Sequence, residues 1–426
     1  MTWPDPAAAF REIARTHERM FWLDGGGSRD WSGRRSILGW LAEDDVSLTY
    51  DATRREVWRL RGGERELVGD DVFAVLAEEI AKDGGDPEVS WVGWFGYACR
   101  PDLPARTDPS GAVPDAVWMR SPRQLVFDHG DAGAQLGEAI SVGVTDAVSE
   151  PSLGRDRPGA PGLEEYSGWF DRVQEQLRLG NTYEVNLTYR QSVTSPADPV
   201  ETYLRLRQVN PAPYAAFLQH DGVSVLSSSP ERFATIDRHR RVETKPIKGT
   251  TPRGSTLQED EQHREALRSD PRYRAENLMI VDLLRNDLSM VCEPGTVTVP
   301  VLMDVESYAN VHQLVSTVRG HLREGVGTVD ALRELFPAGS MTGAPKLRTM
   351  EVIADVETTP RGIYSGALGW ISGDGRADLG VVIRTLVAHE GVYTLGTGGG
   401  ITVRSDAASE YDETRWKAAR LLRAID

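Results

Sequence analysis

Cysteine is nearly missing from this chain. Cys99 and Cys292 are its only cysteines in 426 residues, and neither has CxxC spacing, so a disulfide framework and a cysteine zinc site are both unsupported. No apolar run is long enough to cross a bilayer. Met1–Pro6 shows no basic stretch followed by an apolar one, so the expectation is a cytoplasmic protein. Positive charge is also short: 48 Lys and Arg stand against 64 Asp and Glu, a formal charge of -16. That balance argues against nucleic acid or a membrane surface as the main partner. An anionic substrate has to be met by a local cluster of cations or by a metal. There is no HExxH, no GxSxG elbow and no 20–50-residue repeat. Gly339–Lys346 resembles a phosphate loop but lacks the Gly-Lys-Ser/Thr ending, which excludes nucleotide binding there.

What is present reads as many strands in runs with helices grouped between them, an α+β fold with large, mainly antiparallel sheets. The pattern predicts a helix over 7–20, strands over 21–24, 36–40 and 46–50 after a flexible turn at Gly25–Ser28, and a helix over 72–82. Trp91–Tyr97 is aromatic and punctuated by glycine, which suits a buried strand crossed closely by another backbone, or a pocket for a small aromatic ligand. Ser149–Gly162 is rich in Pro, Gly and charge and reads as a linker between an N-terminal region, 1–150, and a second region, 163–426. In the latter, Leu163–Leu179 is an amphipathic helix ended by Gly180. Tyr183–Tyr189 alternates as a strand with Glu184, Asn186 and Thr188 on a wet face, and Asp221-Gly222 turns a hairpin. Tyr273–Leu288 is a helix burying Leu278, Val281, Leu284 and Leu288. Ser340 or Thr342 is expected to cap the helix after Pro345, strands run over 363–370 and 377–388, and Ser409 is expected to cap the last helix.

The stretch from Thr244 to Arg253, Thr-Lys-Pro-Ile-Lys-Gly-Thr-Thr-Pro-Arg, organises the rest. Pro246 ends a strand at an edge or a turn, and Gly249 lets the backbone turn sharply. Lys248 therefore stands on rigid backbone beside room for a ligand. Cationic neighbours at Lys245 and Arg253 would make its proton harder to hold, one way a lysine becomes a nucleophile. A solvated basic loop is the plain alternative. Glu410, Glu413 and Lys417 share one face of the last helix; they form either a surface ion-pair ladder or, together with Glu276, an all-oxygen site for Mg²⁺. Gly396–Gly400 is a tight turn or a nest of amides for a carboxylate. His312 reads as a structural histidine within a strand. Arg384, in an apolar strand, needs a carboxylate from protein or substrate.

Together these pieces resemble the chorismate-utilising enzymes. The resemblance runs from about Leu163 to the C-terminus through Tyr183–Leu187, Ser229–Phe233, Ala275–Leu283 with Arg285–Asp287, and Val311–Gln313. It continues through Phe336–Gly339, Gly343–Lys346, Gly398–Ile401 and Ser409–Glu413, and is looser over Phe21–Gly39 and Trp91–Tyr97. It implies two large, mainly antiparallel sheets packed as a sandwich with helices outside, the N-terminal segment woven into the same body. Pro246–Thr250 resembles the branch that aminates chorismate at C4 on the way to p-aminobenzoate and folate; anthranilate-forming members typically carry alanine where Lys248 stands. In that branch Lys248 would attack ring C2 while the C4 hydroxyl leaves, and ammonia would enter C4 and expel the lysine. Glu231 matches the general acid. Glu276 and Glu413 match the Mg²⁺ ligands, with Glu410 and Lys417 in the same region. Arg384, Tyr364 and the amides of Gly398, Gly399 and Gly400 would hold the enolpyruvyl carboxylate, while Thr250 and His312 would face the ring. Tyr273 departs from the family pattern, which often has a carboxylate there. With neither cysteine in a nucleophile elbow, the ammonia is expected from a separate glutamine amidotransferase subunit. Trp22-Leu-Asp-Gly25 replaces the Leu-Leu-Glu-Ser of feedback-inhibited relatives, so weak or no tryptophan inhibition is expected. An anthranilate-forming enzyme, a water-using isochorismate synthase and a non-catalytic chorismate-binding subunit are the rivals.

Overall fold

Short apolar runs broken by glycine, proline and Asp-Gly build strands over much of the chain. The computed structural model describes residues 5–24, 35–128, 159–308 and 311–426 and gathers the strands into two sheets whose pairs are all antiparallel. The nine-stranded sheet runs, edge to edge, through Gly343–Ala344, Glu184–Thr194, Val392–Ile401, Thr385–His389, Val223–Ser229, Tyr214–His220, Arg19–Asp24, Arg35–Trp40 and Gln124–Asp128. The twelve-stranded sheet starts from Ile247–Pro252 and continues through Val311–His321, Arg241–Lys245, Arg232–Ile236, Ala377–Val381 and Ala367–Ser372. It ends with Ser90–Phe95, Ala116–Ser121, Ser47–Asp51, Glu56–Arg61 and Glu64–Gly69, while Thr298–Ser307 pairs with Val311–His321 off this path. Residues before 129 supply strands to both sheets.

The sheets meet face to face where Phe21, Ala216, Leu218 and Val225 pack against Val92, Trp94, Val117 and Met119. Helices cover the outer faces: Pro6–Thr16, Pro199–Val209 and Ala407–Ile425 on the nine-stranded sheet, and Val72–Ala81, Pro271–Val291 and Thr328–Leu335 on the other. None of the helices among the described residues is long and apolar enough to cross a membrane.

Several expectations change on contact with the structure. The first helix ends at Thr16, because Arg19 already pairs with His220 in the sheet. Ser90–Phe95 is a core strand and not a ligand pocket: a Cβ on Gly93 would run into the backbone of the neighbouring strand at Val117. Leu278 is half exposed, while Val281, Leu284 and Leu288 are buried as expected. The last helix is capped by Asp406, whose carboxylate accepts from Ser409 N, and the helix Lys346–Val356 has Pro345 at its cap with no side-chain bond from Ser340 or Thr342. Strand character starts at Ala367 and not at 363. The run 377–388 is two strands in different sheets: at Val382–Arg384 the chain leaves one sheet, Arg384 takes φ +51°, and Thr385 enters the other. The turn at Gly25–Ser28 and most of the Ser149–Gly162 linker lie outside the described residues.

Candidate active site

The strand Glu184–Thr194 carries the largest correction. Glu184, Asn186 and Thr188, read as its wet face, are all buried, and Tyr183 is the exposed one. The polar face looks into the protein. Thr188 is satisfied by Glu357, whose other bonds come from the buried Arg361. Asn186 donates to Met341 O. Glu184 accepts from Lys248 Nζ through Oε1, and its Oε2 has no hydrogen-bond partner among the described residues. This polar interior borders a cavity of about 360 Å³, within the size range of small-molecule sites.

Each wall of the cavity comes from a different element. Lys248 and Thr250 come from Ile247–Pro252, the edge strand that Pro246 sets off, and Gly249 sits at φ +86° with the Tyr273 ring where a Cβ would be. Glu231 precedes the strand Arg232–Ile236, and Glu276 lies on Pro271–Val291. Glu410, Glu413, Trp416 and Lys417 come from the last helix, Tyr364 and Arg384 from the approach to and crossing between the sheets. Gly396–Gly400 is neither a turn nor a nest but the end of the strand Val392–Ile401. It pairs with Glu184–Thr194 on one side. On the other, the ladder with Thr385–His389 stops at Leu395, so that edge opens to the cavity.

Four carboxylates and four cations line the cavity, unevenly. Burial pushes the Glu231 carboxyl up to about 7, even though Ser340 and the Ile247 amide donate to it and Lys248 is near. Lys248 behaves opposite to the expectation. Burial alone would lower it, but Glu184, Glu276 and Glu231 surround it and hold it above the ordinary lysine value. Lys245 and Arg253, the supposed cationic neighbours, are taken by Glu306 at 2.6 Å and Asp260 at 2.6 Å. Arg384 shows the reverse: burial, with Arg420 nearby, brings it down to about 10, and no carboxylate among the described residues pairs with it. Its guanidinium lies 5.9 Å from the Trp416 ring. Behind Tyr364, the Arg190 guanidinium stacks at 4.4 Å.

Glu276 and Glu410 share one cation, Arg272, at 3.1 and 2.9 Å, while Glu413 pairs with Lys417 at 2.7 Å. Burial raises Glu276 and Glu410, whereas Lys417 lowers Glu413. Among the described residues no three acidic, histidine or cysteine side chains converge on one point. The donors are nonetheless all carboxylate oxygens grouped on one side of the cavity, a donor set that fits a hard divalent cation. His312 does not line the cavity. Its ring is fully buried between Ser307, at 2.7 Å from Nδ1, and Asp260, at 2.9 Å from Nε2, as a structural histidine. Sequence reasoning missed Glu184, Arg272 and Ser340. The period-two spacing of Glu184 with Asn186 and its place in the Tyr183–Leu187 motif both pointed to it, and neither says which face is buried.

A cavity of this size, with a lysine, a protonatable carboxyl and an arginine that no carboxylate among the described residues pairs with, suits a small anionic ligand. The chain is a member of the chorismate binding enzyme family, whose model matches residues 21–423. Among curated proteins it is 40% identical to an aminodeoxychorismate synthase of Streptomyces griseus over 99% of this chain, and it spans only 63% of that relative's length. It is 44% identical to an anthranilate synthase component 1 of Haloarcula marismortui over 99% of this chain and 90% of that protein. Among solved structures, anthranilate synthase component I from Streptococcus pneumoniae superposes with a TM-score of 0.75 at 26% identity, over 91% of this chain and 92% of that one.

Proposed function

We propose that this chain converts chorismate and ammonia to 4-amino-4-deoxychorismate, the aminodeoxychorismate synthase reaction leading to p-aminobenzoate and folate. The observation that carries this reading is Lys248 in the same cavity as Glu231. Lys248 supplies a nitrogen on rigid backbone to attack ring C2. As the N–C2 bond forms, the ring double bonds shift and the C4–O bond breaks. Hydroxide is a poor leaving group, and a carboxyl held near 7 by burial keeps the proton that turns it into water. Ammonia then forms a bond to C4, the double bonds return and the N–C2 bond breaks, which frees the lysine.

Arg384, half-buried beside Trp416 and paired with no carboxylate among the described residues, is suited to the enolpyruvyl carboxylate, with Tyr364, Lys417 and the open edge of Gly398–Gly400 around it. Thr250 lies next to Lys248 and borders the ring position. Glu276 and Glu413, with Glu410 beside them, would hold Mg²⁺ once Arg272 withdraws. Bound there, the ion would neutralise the ring carboxylate, so that an acidic protein can take a dianion. Ammonia is taken from a glutaminase partner. Both cysteines of this chain are buried, with thiols pushed up by burial, Cys292 to about 11 and Cys99 well above its usual value, so neither is a ready nucleophile.

The test is a product assay with chorismate, Mg²⁺ and an ammonium salt. Aminated product with the enolpyruvyl group retained is the expected result. Free pyruvate with a fluorescent ortho-aminobenzoate would instead make this an anthranilate-forming enzyme, the reading favoured by the Haloarcula and Streptococcus relatives. No turnover, even with a glutaminase subunit supplied, would make it a binder.

A further inference from the structure

Lys248 poses a chemical problem that the cavity-lining residues leave open. Only a neutral amine attacks carbon, yet the amine is surrounded by Glu184 from the strand Glu184–Thr194, Glu276 from the helix Pro271–Val291 and Glu231 from the approach to Arg232–Ile236, which favour its ammonium form. The proton has to leave before the N–C2 bond forms. Glu231 is needed in its protonated state for the departing hydroxyl, and Glu276 is engaged by Arg272.

Glu184 differs from both. Its side chain is fully buried, its Oε1 is in hydrogen-bond contact with Lys248 Nζ, and it does not line the cavity, so it stands behind the amine as the substrate would meet it. Its Oε2 is buried without a partner among the described residues. Lys248 is therefore the single donor to this carboxylate among the described residues, and no other cation competes for its charge. Space is kept for the contact: a Cβ on Gly400 would collide with Glu184 Oε1 and stand 3.3 Å from Lys248 Nζ.

We propose that Glu184 is a catalytic base, taking the proton of the Lys248 ammonium so that the amine can attack ring C2 and returning it when the N–C2 bond breaks. The balance closes. In the first half, Lys248-NH₃⁺ and the Glu184 carboxylate become amine and carboxylic acid, N–C2 forms, C4–O breaks, and Glu231 protonates the hydroxide to water. The secondary ammonium formed on Lys248 passes its extra proton to the Glu231 carboxylate, which restores the acid. In the second half, ammonia bonds to C4 and N–C2 breaks. The lysine nitrogen leaves with the proton from Glu184 and takes a further one from the new C4 ammonium, so the Lys248 ammonium and the Glu184 carboxylate are both restored.

This inference rests on Lys248 being the nucleophile, and the test separates the two claims. Three variants are compared with the wild type, Glu184→Gln, Glu184→Asp and Lys248→Ala, each for turnover and for chorismate binding. Except in Lys248→Ala, the rate of reductive methylation of Lys248 by formaldehyde and cyanoborohydride is followed by peptide mass spectrometry at one fixed pH. Glu184→Gln removes the negative charge that holds the ammonium, so Lys248 should be methylated several-fold faster. Its turnover should nonetheless fall by about 10²–10⁴-fold, the usual worth of a general base. A merely structural role does not move these two readouts in opposite directions. Glu184→Asp, which keeps the carboxylate, should recover part of the turnover. Turnover of Glu184→Gln near the wild-type rate would overturn the proposal. So would a loss of turnover without faster methylation, since the pair would then not share a proton. If Lys248→Ala turns over like the wild type, the nucleophile reading itself is wrong, whatever Glu184 does.

Discussion

Two glycine-punctuated strands, one in each half of the chain, use the missing Cβ in opposite ways. In Ser90–Phe95 the space at Gly93 is filled by the backbone of the next strand at Val117, and aromatic neighbours such as Trp91 and Trp94 pack into the core. In Val392–Ile401 the space at Gly400 is filled by a charged pair, Glu184 with Lys248. Sequence composition treats the two alike. What separates them is pairing: Ser90–Phe95 has a strand on both sides throughout, whereas Gly396–Ile401 has one side open. A glycine inside a doubly paired strand serves packing, and a glycine on a half-paired edge is where a ligand or its handling groups come close.

The sharpest way to probe the contrast is to remove what Gly400 makes room for. Lys248→Ala should bring chorismate amination down to the uncatalysed background with the fold intact, read by product mass and by circular dichroism. Retained amination would reduce the open strand to a packing feature like its counterpart. Next, Gly400→Ala should displace the pair and cost roughly 10²-fold in kcat, since misplacing a reacting group by about 1 Å does that much harm. Its thermal midpoint should barely move. The matching Gly93→Ala should do the reverse, costing about 1–3 kcal/mol in urea unfolding through overpacking while the folded fraction turns over normally. A Gly93→Ala protein with wild-type stability and impaired turnover would break the comparison outright.

A smaller effect concerns Glu231. Ser340 donates to its carboxylate and holds its titration down against burial. The acid works while protonated, so kcat/KM should fall as pH rises through the region of 7. In Ser340→Ala that descending limb should move up by roughly one pH unit, the worth of one hydrogen bond to a charge. A limb that stays put would mean another group sets it. The smallest effect expected is none: millimolar tryptophan should leave the rate unchanged. Trp22, Phe10 and Tyr203 fill the N-terminal interior, and Asp24 is engaged by Arg207 and Ser36. Clear inhibition would show that this half also opens to a ligand.

Strand positions and most cavity residues could be read from the chain because hydrophobic alternation and short motifs are local signals. Lys248, Glu231, Glu276, Arg384 and Lys417 all reach one cavity as expected. What failed was non-local. Glu184 looked solvent-facing because alternation assigns two faces without saying that both are buried. Lys248 was assigned cationic neighbours because Lys245 and Arg253 are near in sequence, while its actual neighbours are carboxylates from three other elements. His312 sits in a strand beside site residues, yet its ring is held between Ser307 and Asp260 and away from the cavity. Arg384 appeared to lie within one strand, because nothing in Val382–Leu386 marks where a chain changes sheets.

That change of sheets reaches beyond topology. Val381 is pinned in one sheet and Thr385 in the other, so the place of Arg384 belongs to the fit between them and to neither alone. The thickness of the apolar layer between the sheets then works as a gauge for the position of the guanidinium in the cavity wall. Trp94 and Leu218, which pack in that layer and do not line the cavity, thus bear on where one of its walls stands.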